Sequence, residues 1–195
     1  MRLQPQHLLS LSRVLLGAVV YLALREPGRS WVVLPAVLAA CVADYCDGVW
    51  ARRSHRESDL GRLIDNVSDA GFLALAFAAF ARASTWSDPV TGSATRYWEH
   101  ANWMPLIGLA LSFGTYLLQW GLALLRGVPR APSVRGHHAG ILNYVLAVIG
   151  AVAVVPGVHL TPWVLEPVSV SVALFNVTAA IDSLGLFASG RSRRN

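Results

Sequence analysis

The sequence predicts an all-α, polytopic membrane fold of six transmembrane helices, with a candidate active site at the cytoplasmic ends of helices 2 and 3. Three observations predict it. The 195 residues are 54% hydrophobic and 14% charged, and a mean hydropathy of +0.48 is too apolar for a soluble domain of this size. Apolar stretches near the length that crosses the hydrocarbon core occur at about residues 8–24, 31–51, 60–82, 103–125, 140–158 and 164–187. The sixteen cationic residues are all arginine, and most fall on one side of that alternation.

The first window is short and carries Arg13, whose head group must reach the interface or point into the protein. A removable signal peptide competes for this stretch, but no A-x-A-like cleavage site follows it. The second window opens at Trp31 and ends in a polar run from Asp44 to Arg53. Its Cys41 and Cys46 share one helix, are poorly placed to bridge and match no zinc spacing, so they read as small packing residues. The third window runs apolar from Ala70 to Ala81. Residues 83–102 and 127–139 carry the Gly, Pro, Ser and Thr signals of loops around the fourth window. The sixth holds Glu166 near its outer end, with Asn176 and Asp182 further on. No linker, repeat or low-complexity tract divides residues 1–195, which read as one domain.

Arginine placement sets the orientation. Arg2, Arg52, Arg53, Arg56, Arg62, Arg126, Arg130, Arg135, Arg191, Arg193 and Arg194 lie at the termini or in the second and fourth loops, against Arg25, Arg29, Arg82 and Arg96 on the other side. The positive-inside rule then puts both termini in the cytoplasm, with the bacterial inner membrane as the expected location. Trp31, Trp86, Trp98, Trp103 and Trp163 gather at the opposite face like an interfacial belt. A pI near 9.9 would suggest nucleic acid for a soluble protein. Here the basic loops serve topology and anionic lipid headgroups, and no nucleic-acid partner is expected.

Asp44, Asp47, Asp65 and Asp69 crowd the ends of the second and third windows. Each carboxylate at bilayer depth costs on the order of 2.5 to 3.5 kcal/mol on insertion scales, so four of them require a cation to share. The three- and four-residue spacings place each pair on one helix face. Gly48 and Ala51 continue the Asp44 face and Gly61 the Asp65 face, where small side chains leave room for a close ligand. Oxygen-only ligands with open positions suit a hard divalent ion, Mg2+ or Mn2+, which completes its shell with water and substrate phosphates.

Residues 44–69 read DYCDGVWARRSHRESDLGRLIDNVSD, or D-x2-D-G-x2-A-R-x8-G-x3-D-x3-D. This resembles the signature of the CDP-alcohol phosphotransferases, membrane enzymes that join a CDP-activated alcohol to an acceptor hydroxyl and release CMP. A weaker echo lies at Pro5 to Arg13, PQHLLSLSR, where Ser10 and Arg13 fit the family's Thr-x-x-Arg and Gln6 departs from its usual Asn. The resemblance implies that Asp44, Asp47, Asp65 and Asp69 hold two divalent ions, and that Asp44, Gly48, Ala51, Arg52 and Gly61 contact the CDP part. It also implies that Asp69 is a metal ligand, the general base, or both. Homodimers are common in the family, and the small-residue faces are compatible with one.

Arg126, Arg130, Arg135 and His138, beside His137, form a basic cluster suited to an acceptor's phosphate; a solvated positive-inside loop explains it equally well. Asn176 and Asp182 suit helix-to-helix hydrogen bonds better than substrate contacts. Within the family that the motif resembles, the compact six-helix length is more similar to the bacterial users of CDP-diacylglycerol than to the longer choline and ethanolamine enzymes, and among those the basic loop favours glycerol 3-phosphate as acceptor, before inositol phosphate. Serine, other alcohols and a CDP-choline or CDP-ethanolamine donor stay open. A divalent-metal or proton-coupled transporter would need acidic groups near the midplane, whereas these lie at helix ends. A scaffold gives no reason to keep four costly carboxylates at matched spacing.

Overall fold

Peptide groups placed in lipid must be satisfied within their own segment, and the described residues do so with helices. In the computed structural model, which describes residues 5–26, 28–54, 59–83, 103–126, 133–158 and 162–190, these are α1 (Pro5–Ala23), α2 (Val33–Ser54), α3 (Asp59–Ala83), α4 (Met104–Arg126), α5 (Val134–Ala153) and α6 (Pro162–Gly190). A single 3-10 turn, Ser30–Val32, leads into α2. No strand occurs among the described residues. Five stretches are long and apolar enough to cross a membrane: Ser30–Val49, Gly61–Arg82, Met104–Leu125, Val134–Ala153 and Leu165–Gly185. The shorter apolar run Ser10–Ala23 lies in α1. The chain is a polytopic membrane protein of six helices, as its hydropathy predicts.

One boundary moves. The fifth helix, expected at 140–158, begins at Val134 and ends at Ala153. Ser133 explains the early start, since its Oγ accepts the backbone N–H of Gly136 at 3.0 Å as an N-cap. Arg135, His137 and His138 are too polar for a hydropathy window to include, yet they lie on the first turns of α5 and not in a loop. At the other end the valine run continues past the helix into a turn, where Gly157 takes φ +83°. α6, by contrast, passes through Pro167 in its first turns without breaking.

The helices pack as two groups. α1 lies against α3 and α2, while α6 is flanked by α4 and α5; α5 also touches α2 and α3, and joins the groups. Small residues permit the closest crossings, as expected where lipid gives no solvophobic drive and helices associate by close packing. A Cβ on Gly17 would lie 3.0 Å from the Phe72 Cα, and one on Gly108 would lie 3.0 Å from the Ala173 Cα. Between them Val20, Val33, Val37, Ala40, Phe72, Ala76 and Ala147 form a sealed core. Leu15, Val42, Ile107, Leu118, Leu174 and Ile181 point outward, where acyl chains would cover them.

Candidate active site

The four aspartates converge on one side chain from α1. Asp44 and Asp47 come from the second half of α2, and Asp65 and Asp69 from the first half of α3, and α1, packed against both helices, meets both ends of the motif. Ser10 and Arg13, three residues apart and therefore on one face of α1, enter between them. Arg13 Nη1 donates to Asp44 Oδ1 at 2.6 Å and to Asp69 Oδ1. Its Nη2 donates to Asp65 Oδ1 at 3.1 Å and to Asp47 Oδ2 at 3.2 Å. The Ser10 hydroxyl lies within reach of Asp47 Oδ2, at 3.1 Å, and of Asp65 Oδ1. It has one proton, which serves one carboxylate at a time.

Burial divides the cluster into floor and mouth. The Arg13 side chain is fully enclosed and that of Asp47 is 6% exposed, whereas Asp69 is 25%, Asp65 42% and Asp44 47% exposed. Among the described residues two buried side-chain atoms have no hydrogen-bond partner, Asp47 Oδ1 and Arg13 Nε. One guanidinium cannot neutralise four carboxylates. The donor chemistry, oxygen-only with an orphaned carboxylate oxygen at its floor, fits a hard divalent ion. The spacing is a different matter: among the described residues no three acidic, histidine or cysteine side chains are set around a metal position. The carboxylates are drawn in on the arginine instead.

A fifth group comes from α5. The Tyr144 hydroxyl donates to Asp69 Oδ1 at 2.6 Å, and its ring stacks on Phe72, with centroids 5.7 Å apart and planes at 18°. Sequence reasoning missed this residue. Its only trace is a phenol inside an apolar span, which needs a partner somewhere in the bundle, and nothing in the spacing singles out Asp69. For Arg13, left between the interface and the protein interior by its sequence, the interior is the placement found, and its contact with all four motif carboxylates was not foreseen.

Other candidates fall elsewhere. Gly48 lies one turn beyond Asp44 and Gly61 one turn before Asp65, both on the aspartate-bearing segments. Ala51 and Arg52 continue α2, with side chains outside the described part of the structure. The Arg126 side chain and the whole of Arg130 also lie outside it. Arg135 pairs with Asp182 at 3.7 Å, and Asp182 also accepts from the Ser133 hydroxyl at 2.9 Å. His138 is exposed, its ring 5.9 Å from that of His137. At 1.5 Å per residue, His138 and Arg135 stand roughly 9 and 13 Å up α5 from Tyr144. The structure therefore does not bring them to the carboxylates; they stand nearer the α5 terminus. Asn176 pairs with Asn143 of α5, the helix-to-helix role expected of it. Cys41 and Cys46 are free thiols, and Cys46 is exposed, so packing accounts only for Cys41.

A family model described as CDP-alcohol phosphatidyltransferase matches residues 5–181, nearly the whole described bundle. Neither a curated relative nor a solved structure matches the chain.

Proposed function

The chain belongs to the CDP-alcohol phosphatidyltransferase family, and from that premise we propose that it transfers a phosphatidyl group from CDP-diacylglycerol to glycerol 3-phosphate, releasing CMP. Transfer of a substituted phosphate from a CDP-alcohol in phospholipid synthesis follows from the family itself. The particular donor and acceptor are our reading. The observation that carries it is the convergence of the four motif carboxylates, with Asp44 and Asp65 at an open mouth and Asp47 on a closed floor.

Asp44, Asp47, Asp65 and Asp69 are the residues that would hold Mg2+ or Mn2+, and bound divalent ions supply charge neutralisation for the pyrophosphate and the departing CMP. In the transfer, the acceptor oxygen bonds to the phosphorus carrying the alcohol. The bridging P–O bond breaks with its electron pair remaining on CMP, and the hydroxyl proton passes to Asp69, our candidate base. Gly48, Ala51 and Gly61 leave space for the nucleotide beside Asp44, and Arg52 offers a forked contact to a phosphate oxygen. Arg135 and His138, with Arg126 and Arg130, would receive the acceptor's phosphate nearer the cytoplasmic surface. Both termini would face the cytoplasm.

The test is CMP release by purified protein in detergent with CDP-diacylglycerol, with and without Mg2+, and with Asp69→Asn as control. Glycerol 3-phosphate, inositol phosphate, inositol and serine are supplied separately. Release with glycerol 3-phosphate, dependent on the metal and lost in the control, is expected. Release only with another acceptor, or only from CDP-choline or CDP-ethanolamine, would replace the substrate assignment while keeping the chemistry.

A further inference from the structure

We propose that Tyr144 is a positioning residue for Asp69, fixing which of its two carboxylate oxygens receives the acceptor's proton. The inference rests on the reading of Asp69 as base and adds a residue from outside the aspartate motif. Both hydrogen bonds that the described residues make to Asp69, from Arg13 Nη1 and from the Tyr144 hydroxyl, land on Oδ1. Oδ2 takes neither. A carboxylate has two chemically equivalent oxygens and a rotatable Cβ–Cγ bond, so an unheld Asp69 would present either one in changing directions. Holding Oδ1 from two sides stops that rotation and leaves Oδ2 as the acceptor for the proton released during attack.

Tyr144 is suited to hold an oxygen because it is itself held. Its ring lies flat against Phe72, which is fully buried and sits three residues after Asp69 on the same face of α3. The phenol and the carboxylate it serves are thereby referenced to the same helix, although they come from different elements. Arg13 alone would not be sufficient, since its guanidinium is divided among four carboxylates. A phenol has one proton to give, and that of Tyr144 goes to Asp69 Oδ1, so it sets the direction of a single bond. A purely structural tyrosine would account for the stacking and for a satisfied hydroxyl, but that role is indifferent to which carboxylate oxygen remains open.

Tyr144→Phe removes the hydroxyl and keeps the ring, so it separates the two roles. With the acceptor that supports CMP release, kcat is expected to fall about 10-fold or more, the range seen when a partner orienting a catalytic ligand is removed. KM for the CDP-alcohol and the melting midpoint should stay at the parent's values. An unchanged kcat beside an inactive Asp69→Asn would overturn this inference and leave the proposed function standing. Equal loss in kcat, KM and melting midpoint would assign Tyr144 to structure and also overturn it. Full activity in Asp69→Asn would remove the base reading, and the inference with it. Should the Phe variant not fold, 3-fluorotyrosine at position 144 keeps the shape and changes donor strength. A changed kcat then supports the proposal, and an unchanged one sinks it.

Discussion

Two of the polar groups inside this apolar bundle are built on opposite principles. Between α5 and α6, Asn143 and Asn176 exchange side-chain amide hydrogen bonds at 3.0 and 2.9 Å, and Asn176 also donates to the Val172 carbonyl at 3.0 Å. Both side chains are buried and their polar atoms are matched with each other. Between α1, α2 and α3, four carboxylates share one guanidinium, the mouth is open, and Asp47 Oδ1 and Arg13 Nε have no partner among the described residues. The amide pair is complete and needs nothing from outside. The aspartate cluster is incomplete, and its deficit of positive charge and its access are what a site for ions and phosphates requires. Polar residues at membrane depth can thus be sorted by whether their donors and acceptors balance.

The sharpest way to break the contrast is at Asp69. Asp69→Asn should lower kcat by about 10²- to 10⁴-fold in the CMP-release assay, the range for losing a general base, whereas Asn176→Leu should keep the parent's turnover per folded molecule. Comparable losses in the two would erase the distinction. Next in size is Arg13→Gln. Removing the shared cation strands Asp47 on the closed floor without a counter-charge, so thermal unfolding in EDTA should show a loss of about 3 to 5 kcal/mol. Added Mg2+ should recover much of it, because the ion takes over the neutralisation. Failure of Mg2+ to stabilise this variant would argue that the carboxylates bind no ion.

Smaller effects sharpen the comparison from the other side. Asn176→Leu leaves the Asn143 amide unmatched and should cost about 1 to 2 kcal/mol. Replacing both asparagines with leucine should cost less than the sum of the single changes, read from a denaturation cycle in detergent. Smallest is Arg135→Gln. Its exposed pair with Asp182 is worth about 0 to 1 kcal/mol, so the melting midpoint should barely move. KM should rise for a phosphorylated acceptor and stay level for the CDP-alcohol; no change for either would return Arg135 to a purely topological role.

How far the sequence reveals all this depends on the range of the interaction. The six helices are legible because each apolar window states its own requirement, independent of the rest of the chain. The aspartate pairs are legible because three- and four-residue spacings project from one helix. The start of α5 was not, since Arg135, His137 and His138 look like loop to a hydropathy average, while a single Ser133 cap decides the matter. Tyr144 was not, because it meets Asp69 across 75 positions of sequence, and no local pattern encodes which helix faces which. Arg13 lies between these cases: its cost in lipid demands either the interface or the protein interior, and only the packing of α1 between α2 and α3 decides for the interior and tells which carboxylates it meets.

Phe72 links the apolar core to the charged cluster in a way that neither suggests alone. The α1 backbone crosses its Cα at Gly17, one turn after Arg13, and its ring carries the ring of Tyr144. A single uncharged residue is therefore the gauge from which both the guanidinium and the phenol are set out. A slip of one helical turn along α1 would carry Arg13 about 5.4 Å, beyond hydrogen-bonding reach of the carboxylates it now holds. Bulk added at Gly17, or volume lost at Phe72, would misalign the chemistry without altering any polar side chain. A variant that is folded, inserted and inactive is as readily made in the buried apolar crossing of two helices as in the aspartates themselves.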